Sequence, residues 1–532
     1  MGRCADRFVD RRLYPLAVRG GRVIRLEQNV WNNQDTKNHE DEFVDGSPML
    51  TSTENASKLP AVLRELREHL KSVPANDPLM ALSAVREALE LVVSAKEMAL
   101  QTQARAVAEL DEVAQSYLRS VFKGFLQAVA LSSARGSVLR VASQGFYSEL
   151  SSACRLVLDR GRYAMSSQPQ TLAEISTRLV RAETNRLKWD HLVYGPFDDG
   201  VWRRAGATLS EAVAEQRHQL PVSLRFGRET STSTLREMTR AVALHCAGLD
   251  QTPPDLIDVI DRLIHYILPA LHLSPTLVEG ARYSWIAESG SAPRRIVRAD
   301  IEAGAWYFSA QNADAALNEL EDMLNKGVVP GVLDVGPGSR DRIYAALRHL
   351  RRYWCDAPVK RRYRRHVMSG SVDGVRGFVA LQRALKGVGD GVEQWRLHDA
   401  SVGGMGVSTL ADESAMPRIG DLMAIRPDDT GEWRLGMVRR LERQEAPSAF
   451  IGLETFATSP KIVRADDGRA PIEILLCDPM RRGAILRVVA PLNSLRPGVP
   501  LFVADAGAIQ KLKPLGSNWR GTEFEVRTYL VL

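Results

Sequence analysis

The chain has 532 residues, 45% of them hydrophobic and 25% charged, with a formal net charge of +6. These fractions are those of ordinary globular proteins and exclude a wholly disordered, fibrous or membrane-embedded chain. At roughly 100–200 residues per domain the length predicts about three domains, and so small a charge over this length argues against a global nucleic-acid-binding character.

Residues 1–56 join a basic start to a polar run, Asn29 to Glu42, without helical or strand periodicity, which predicts a mobile arm. From Leu59 the apolar residues repeat at three and four, as in Leu63, Leu66 and Leu70 and again in Val107, Leu110, Ala114, Tyr117 and Val121. That spacing puts them on one helical face, which must be buried. Similar stripes recur at Phe146–Val157, Leu172–Leu187, Leu209–His218, Thr234–Leu249, Asp255–Leu271, Ala313–Leu324 and Arg340–Tyr353, with breaks at Gly195-Pro196 and Pro253-Pro254. Residues 57–355 are therefore expected to be all-helical, as a bundle or an irregular array.

After Cys355 β-branched and aromatic residues alternate with polar ones between glycine-rich turns. Val392–His398, Gly406–Thr409, Asp421–Arg426, Trp433–Arg443 and Ala449–Phe456 read as closely spaced strands of a small antiparallel barrel over 356–458. Past the Ser459-Pro460 break, Ile472–Cys477, Ala484–Ala490, Leu501–Asp505 and Glu523–Leu532 predict further strands, so 459–532 is a second small β-domain or an extension of the first sheet. The expected fold class is thus α+β multidomain: a large all-α N-terminal domain, then a β-barrel, then a further β segment.

Two signals in this region carry chemistry. The first is the basic run Lys360-Arg361-Arg362-Tyr363-Arg364-Arg365, with Arg361 and Arg365 four apart. The second is Asp399-Ala400-Ser401-Val402-Gly403-Gly404, at the end of a predicted strand. An Arg fork matches the O6 and N7 acceptors of guanine with two parallel hydrogen bonds worth about 1–3 kcal/mol, and a second Arg can pair with a phosphate. A carboxylate such as Asp399 accepts from the opposite, donor edge of guanine. Ser401 offers a hydroxyl to a phosphate, and Gly403 and Gly404 let backbone N–H groups approach an anion closely.

An R-x-x-x-R string, a strand and then D/N-x-S-x-x-G resembles the PilZ domain family, whose six-stranded barrels bind cyclic di-GMP, and the resemblance runs from about Pro358 to Phe456. It implies Arg361 and Arg365 as base and phosphate ligands, Asp399 and Ser401 as base and phosphate contacts, and Gly404 as a turn former. With Arg362 and Gly403 these make up the candidate ligand-binding set. Two departures stand out: 34 residues separate Arg365 from Asp399, longer than the family leads one to expect, and Lys360 stands where a further Arg is common.

The function expected on these grounds is a bacterial cyclic di-GMP effector, not an enzyme, with no cofactor or metal and with a protein partner on the helical domain. The alternative is an interaction scaffold whose PilZ-like barrel has lost its ligand and whose helices hold protein or nucleic acid. No run approaches the roughly 18 apolar residues of a membrane span, and the first thirty residues lack a continuous apolar segment before a small-residue cleavage site, so a cytoplasmic location is expected. The five cysteines are scattered and read as reduced thiols. Gly336-Pro337-Gly338-Ser339 lacks a following Walker Lys-Ser/Thr pair and reads as a helix cap by Ser339. His265 and His272, seven apart on one expected helix, read as packing histidines, as do the aromatic residues from Trp189 to Trp202.

Overall fold

A computed structural model describes residue 68 and residues 77–532, apart from 96–97, 132, 166, 225–230, 298–301, 355–362, 390, 411–415, 428–430, 445–447 and 506–507. The arm expected over 1–56 lies outside the described residues.

The helices are α1 (Pro78–Ser94), α2 (Leu100–Ala130), α3 (Arg135–Ala164), α4 (Pro169–Leu192), α5 (Gly200–Ala214), α6 (Thr234–His245) and α7 (Pro254–Ile267), each overlapping its apolar stripe where one was read, with α3 and α5 starting about ten residues earlier than theirs. Their starts follow from local chemistry. The Asp77 side chain accepts from the Met80 N–H and Ser233 from Arg236 N–H, while Pro78, Pro169 and Pro254 occupy first-turn positions where a missing N–H costs nothing.

The helical core is apolar but threaded by ion pairs. Arg178 on α4 has no solvent exposure and donates to Asp111 Oδ2 at 2.6 Å, to Glu112 Oε1 at 2.9 Å and to Glu174 Oε1 at 2.8 Å. Arg240 on α6 meets buried Asp261 on α7, which also holds Lys188 Nζ at 2.8 Å. These cations keep the Asp261 carboxyl well below the usual carboxylate range against the upward push of burial.

Past α7 the chain makes a small four-stranded sheet in the order β1-β4-β2-β3, from β1 (His272–Ser274), β2 (Ala281–Ile286), β3 (Arg294–Arg295) and β4 (Ala305–Ser309). Helical periodicity cannot reveal it. β4 is buried at every position and carries no alternation, and β1 and β3 are only three and two residues long. His272 therefore stands exposed on a strand, its Nε2 3.0 Å from Asn312 Nδ2, and not on a helix with His265, because the helix stops before Pro269. Helices α8 (Ala313–Asn325) and α9 (Ser339–Trp354) complete the region. The Ser339 hydroxyl is spent on its own loop, donating to Asp334 Oδ1 at 2.6 Å and accepting from the Val335 N–H at 2.9 Å.

Two closed barrels follow. The first holds β5 (His366–Arg376), β6 (Glu393–Ser401), β7 (Gly404–Leu410), β8 (Leu422–Pro427), β9 (Arg434–Arg443) and β10 (Ser448–Thr458), all antiparallel. A short helix, α10 (Phe378–Leu385), lies between β5 and β6 and accounts for the long gap from Arg365 to Asp399. Residues 461–531 close a second barrel from β11 (Lys461–Asp466), β12 (Pro471–Leu476), β13 (Ile485–Pro491), β14 (Leu501–Asp505), β15 (Ala508–Arg520) and β16 (Phe524–Val531). Numbered within each barrel, the strands run around the circle as 1-2-3-6-5-4 in both.

The first barrel is packed on two sides. Along β8, Met423 and Ile425 belong to the cluster that contains the barrel interior and the helical core, while Leu422 and Ala424 belong to the cluster shared with the second barrel. On β12 and the residue after it, Leu475 and Cys477 face the first barrel while Ile474 and Leu476 fill the second. Side chains alternate across a strand, so runs such as Leu422–Ile425 and Ile474–Cys477 are apolar throughout because both faces are covered. The Thr522 N–H donates to the Gly420 carbonyl at 3.1 Å and Lys386 pairs with Glu473 at 2.7 Å across the same junction.

Replacing Arg178 by Leu strips Asp111 of its buried counter-charge and should cost about 3–5 kcal/mol. Urea unfolding of the full chain measures this, with Glu90→Gln on an exposed helix face as a control expected to stay within about 0.5 kcal/mol of wild type.

Candidate functional site

Five of the seven candidate residues expected from sequence, Arg365, Asp399, Ser401, Gly403 and Gly404, lie together at one end of the first barrel. Arg365 immediately precedes β5, and β5 pairs with β6 so that Val367 lies opposite Asp399 and His366 opposite Ala400. This register carries the Arg365 guanidinium to Asp399, with Nη1 2.5 Å from Oδ1 and both side chains about a quarter exposed. At 34 residues apart in sequence, the two form a charge-assisted hydrogen bond at an accessible edge.

The turn that follows Asp399 is shaped by backbone contacts. Ser401 Oγ donates to the Gly404 carbonyl at 3.2 Å, so the hydroxyl closes its own turn. A Cβ on Gly404 would run into the Leu453 carbonyl oxygen on β10, and one on Gly403 would come within 2.9 Å of the Tyr363 ring. The Gly403 carbonyl accepts from the Thr455 N–H at 3.2 Å, tying the turn to β10. Val402 at the tip is 80% exposed.

A register shift between Leu397 and Asp399 brings consecutive side chains His398 and Asp399 to the same outer face. There His398 Nε2 lies 2.7 Å from Ser408 Oγ, its ring is 5.6 Å from that of Phe450, and Asp399 lies over Gly406. Partial burial, with Arg396 nearby, holds the His398 imidazole below its ordinary pKa against the pull of Asp399. Gly406 has no room for a side chain, since a Cβ would come within 3.0 Å of the Asp399 carboxylate and 2.9 Å of Phe450.

The structure thus brings Arg365, Asp399, Ser401, Gly403 and Gly404 together, while Arg361 and Arg362 lie outside the described residues. Sequence reasoning did not single out Tyr363, His398, Gly406 or Phe450 as neighbours of the site. The one available signal was the Gly406 spacing, two residues past the motif.

The site is linked to the helices. β10 pairs with β9 along Ala449–Thr458. From β9, Arg440 Nε lies 2.5 Å from Asp250 Oδ2 in the turn after α6, and the Arg443 N–H donates to the Tyr194 carbonyl at 2.7 Å. Tyr194 is also anchored inside, its hydroxyl donating to the Thr252 carbonyl at 2.9 Å.

Among the described residues no group of three His, Cys, Asp or Glu side chains could hold a metal ion, and no helix is long and apolar enough to cross a membrane. Cys154, Cys246 and Cys477 are buried and unbridged.

The family model described as the cyclic-di-GMP receptor FimW, N-terminal domain, matches residues 64–276, about two-fifths of the chain. The match spans α1 to α7 and β1 and ends at residue 276, before either barrel. No curated protein and no solved structure matches the chain.

Replacing Gly404 by Ala sets a methyl group against the Leu453 carbonyl, which only backbone movement relieves. The change should destabilise by about 2–3 kcal/mol, whereas at Gly403 the Tyr363 ring can swing away and the loss should stay below about 1 kcal/mol. Thermal unfolding of the two variants side by side tests this order.

Proposed function

We propose that this chain is a cyclic di-GMP receptor whose first barrel binds the messenger and whose helical domain passes the event to a protein partner in the bacterial cytoplasm. Two separate stretches support the same ligand: the D-x-S-x-x-G turn with its arginines in the barrel, and the likeness of residues 64–276 to the N-terminal domain of a cyclic-di-GMP receptor. The observation that carries the reading is the meeting of Arg365 and Asp399 beside the turn Ser401–Gly404.

In the free protein each of the pair satisfies the other. A guanine nucleotide offers replacements for both, since its N1–H and amine edge donates to the Asp399 carboxylate while O6 and N7, or a phosphate, accept from the Arg365 guanidinium. Arg361 and Arg362, on the same lead-in segment, add cationic donors for the phosphates. That segment is the direct chain connection between α9 and β5, so the exchange acts on the link between them. A shift of the Gly403-Gly404 turn also moves β10 and, through β9, the Arg440–Asp250 and Arg443–Tyr194 contacts. The chemistry is recognition and displacement, without a reaction.

One observation favours the scaffold reading instead: Arg365, Asp399 and Ser401 already have partners within the fold, so the constellation could be structural alone. Titration calorimetry separates the two. The receptor reading expects cyclic di-GMP to bind the full chain and Arg361→Ala, Arg365→Ala and Asp399→Ala each to weaken it by about tenfold or more, the value of one charge-assisted hydrogen bond. No binding by the wild type, or unchanged affinity in all three variants, supports the scaffold.

The coupling has its own readout. Hydrogen exchange of the Tyr194–Asp199 loop should slow on addition of cyclic di-GMP to the wild type, and the slowing should be lost in Arg440→Ala while affinity changes by less than about threefold. Equal slowing in both proteins removes Arg440 from the route.

A further inference from the structure

The second barrel carries a site of its own. Its strands follow the same circular order as the first, so the connection Cys477–Ala484 between β12 and β13 stands where the Ser401–Gly404 turn stands between β6 and β7. Unlike that turn, this connection is acidic at its start and basic further on, reading Asp478-Pro479-Met480-Arg481-Arg482-Gly483, and its geometry is set by Asp478. The Asp478 carboxylate accepts from the Arg487 backbone N–H and from Nε, both at 2.9 Å, and from Nη2. One carboxylate thus pins the turn to β13 and fixes the Arg487 guanidinium at the rim.

Beside this turn lies an open cleft of about 440 Å³. Arg481, Arg487 and the Thr528 hydroxyl give it a cationic, donor-rich side, and Pro479 with Ile485, which is 62% exposed, gives it an apolar one. β13 and β16 pair so that Thr528 stands opposite Arg487. A second cleft of about 500 Å³ shares Thr528 and is bordered by Lys511 and Lys513, which alternate with buried Leu512 and so point outward from β15. Arg481, Lys511 and Lys513 are exposed and none forms a side-chain ion pair or hydrogen bond among the described residues, whereas the nearby carboxylates are engaged, Glu525 by Arg527 and Asp467 by Arg496.

We propose that this groove binds a phosphorylated small molecule of nucleotide size, with its phosphate on Arg481 and Thr528 and its apolar part on Ile485 and Pro479. Each cleft has the volume usual for small-molecule sites, about 300–1,000 Å³. Unpaired cations beside a hydroxyl and an apolar wall match a ligand that is anionic at one end and flat and apolar at the other. The site is separate from the first barrel's and does not require that barrel to bind anything.

Calorimetric titration of the full chain with adenosine monophosphate and with inorganic pyrophosphate tests the assignment, because neither carries the guanine edge that the first barrel would read. Binding of at least one probe at physiological salt is expected, equal in wild type and Arg365→Ala, and weakened about tenfold or more in Arg481→Ala and in Lys511→Ala/Lys513→Ala. Ile485→Glu should weaken the nucleotide and leave pyrophosphate within about threefold. Arg481, Ile485, Lys511 and Lys513 are exposed, and circular dichroism of every variant checks that it folds. No binding of either probe at millimolar concentration overturns the proposal, as does binding that Arg365→Ala abolishes or that the Arg481 and lysine variants leave intact. Binding that grows with the length of an oligonucleotide and is absent for both small probes overturns it in favour of a nucleic-acid surface.

Discussion

The first barrel buries its wall from both sides, and the remaining architecture depends on that. Met423 and Ile425 turn inward to a core continuous with the helices, and Leu422 and Ala424 turn outward onto the second barrel. Taking water from both faces of a strand roughly doubles the apolar area removed per residue, at about 25 cal/mol for each Å². It also forbids sliding of the strand, because a one-residue slip would exchange inner and outer side chains. The barrel is therefore held in register between two neighbours.

That rigidity gives the candidate site its geometry. Arg365 reaches Asp399 because β5 and β6 pair in one register, and the glycine turn closes on β10 because Gly404 alone tolerates the Leu453 carbonyl. The same β10 lies against β9, whose Arg440 and Arg443 touch the helical region at Asp250 and Tyr194. The candidate site and the contacts with the helical region are thus joined by two hydrogen-bonded strands. The second barrel repeats the circular order with a different turn chemistry.

Much of the fold is legible in the chain. Long amphipathic stripes located the helices, since a helix that buries one face must repeat at three and four. Strands with one dominant burial pattern, such as β9 and β10, were legible too. β5 was not, because its first six residues, His366–Ser371, are exposed on both faces and show no alternation. β15 mixes Lys, Pro and Gly, and α10 has only eight residues, too short for a periodic signal. Tyr363, His398, Gly406 and Phe450 join the candidate site through cross-strand pairing and a register shift, neither of which leaves a mark in local sequence.

The chain by itself determined the long amphipathic helices and the alternating strands, and that an acidic, hydroxyl and glycine turn would follow a cluster of arginines, because these depend on neighbours within a few positions. Only the tertiary structure decided that Arg365 lies on Asp399, that residues 461–531 close into a second barrel with the strand order of the first, and that a cationic cleft opens beside Asp478. Each of these requires strands distant in sequence to pair in a particular register, and register is chosen by burial on both faces of a closed barrel, a property that no local segment possesses.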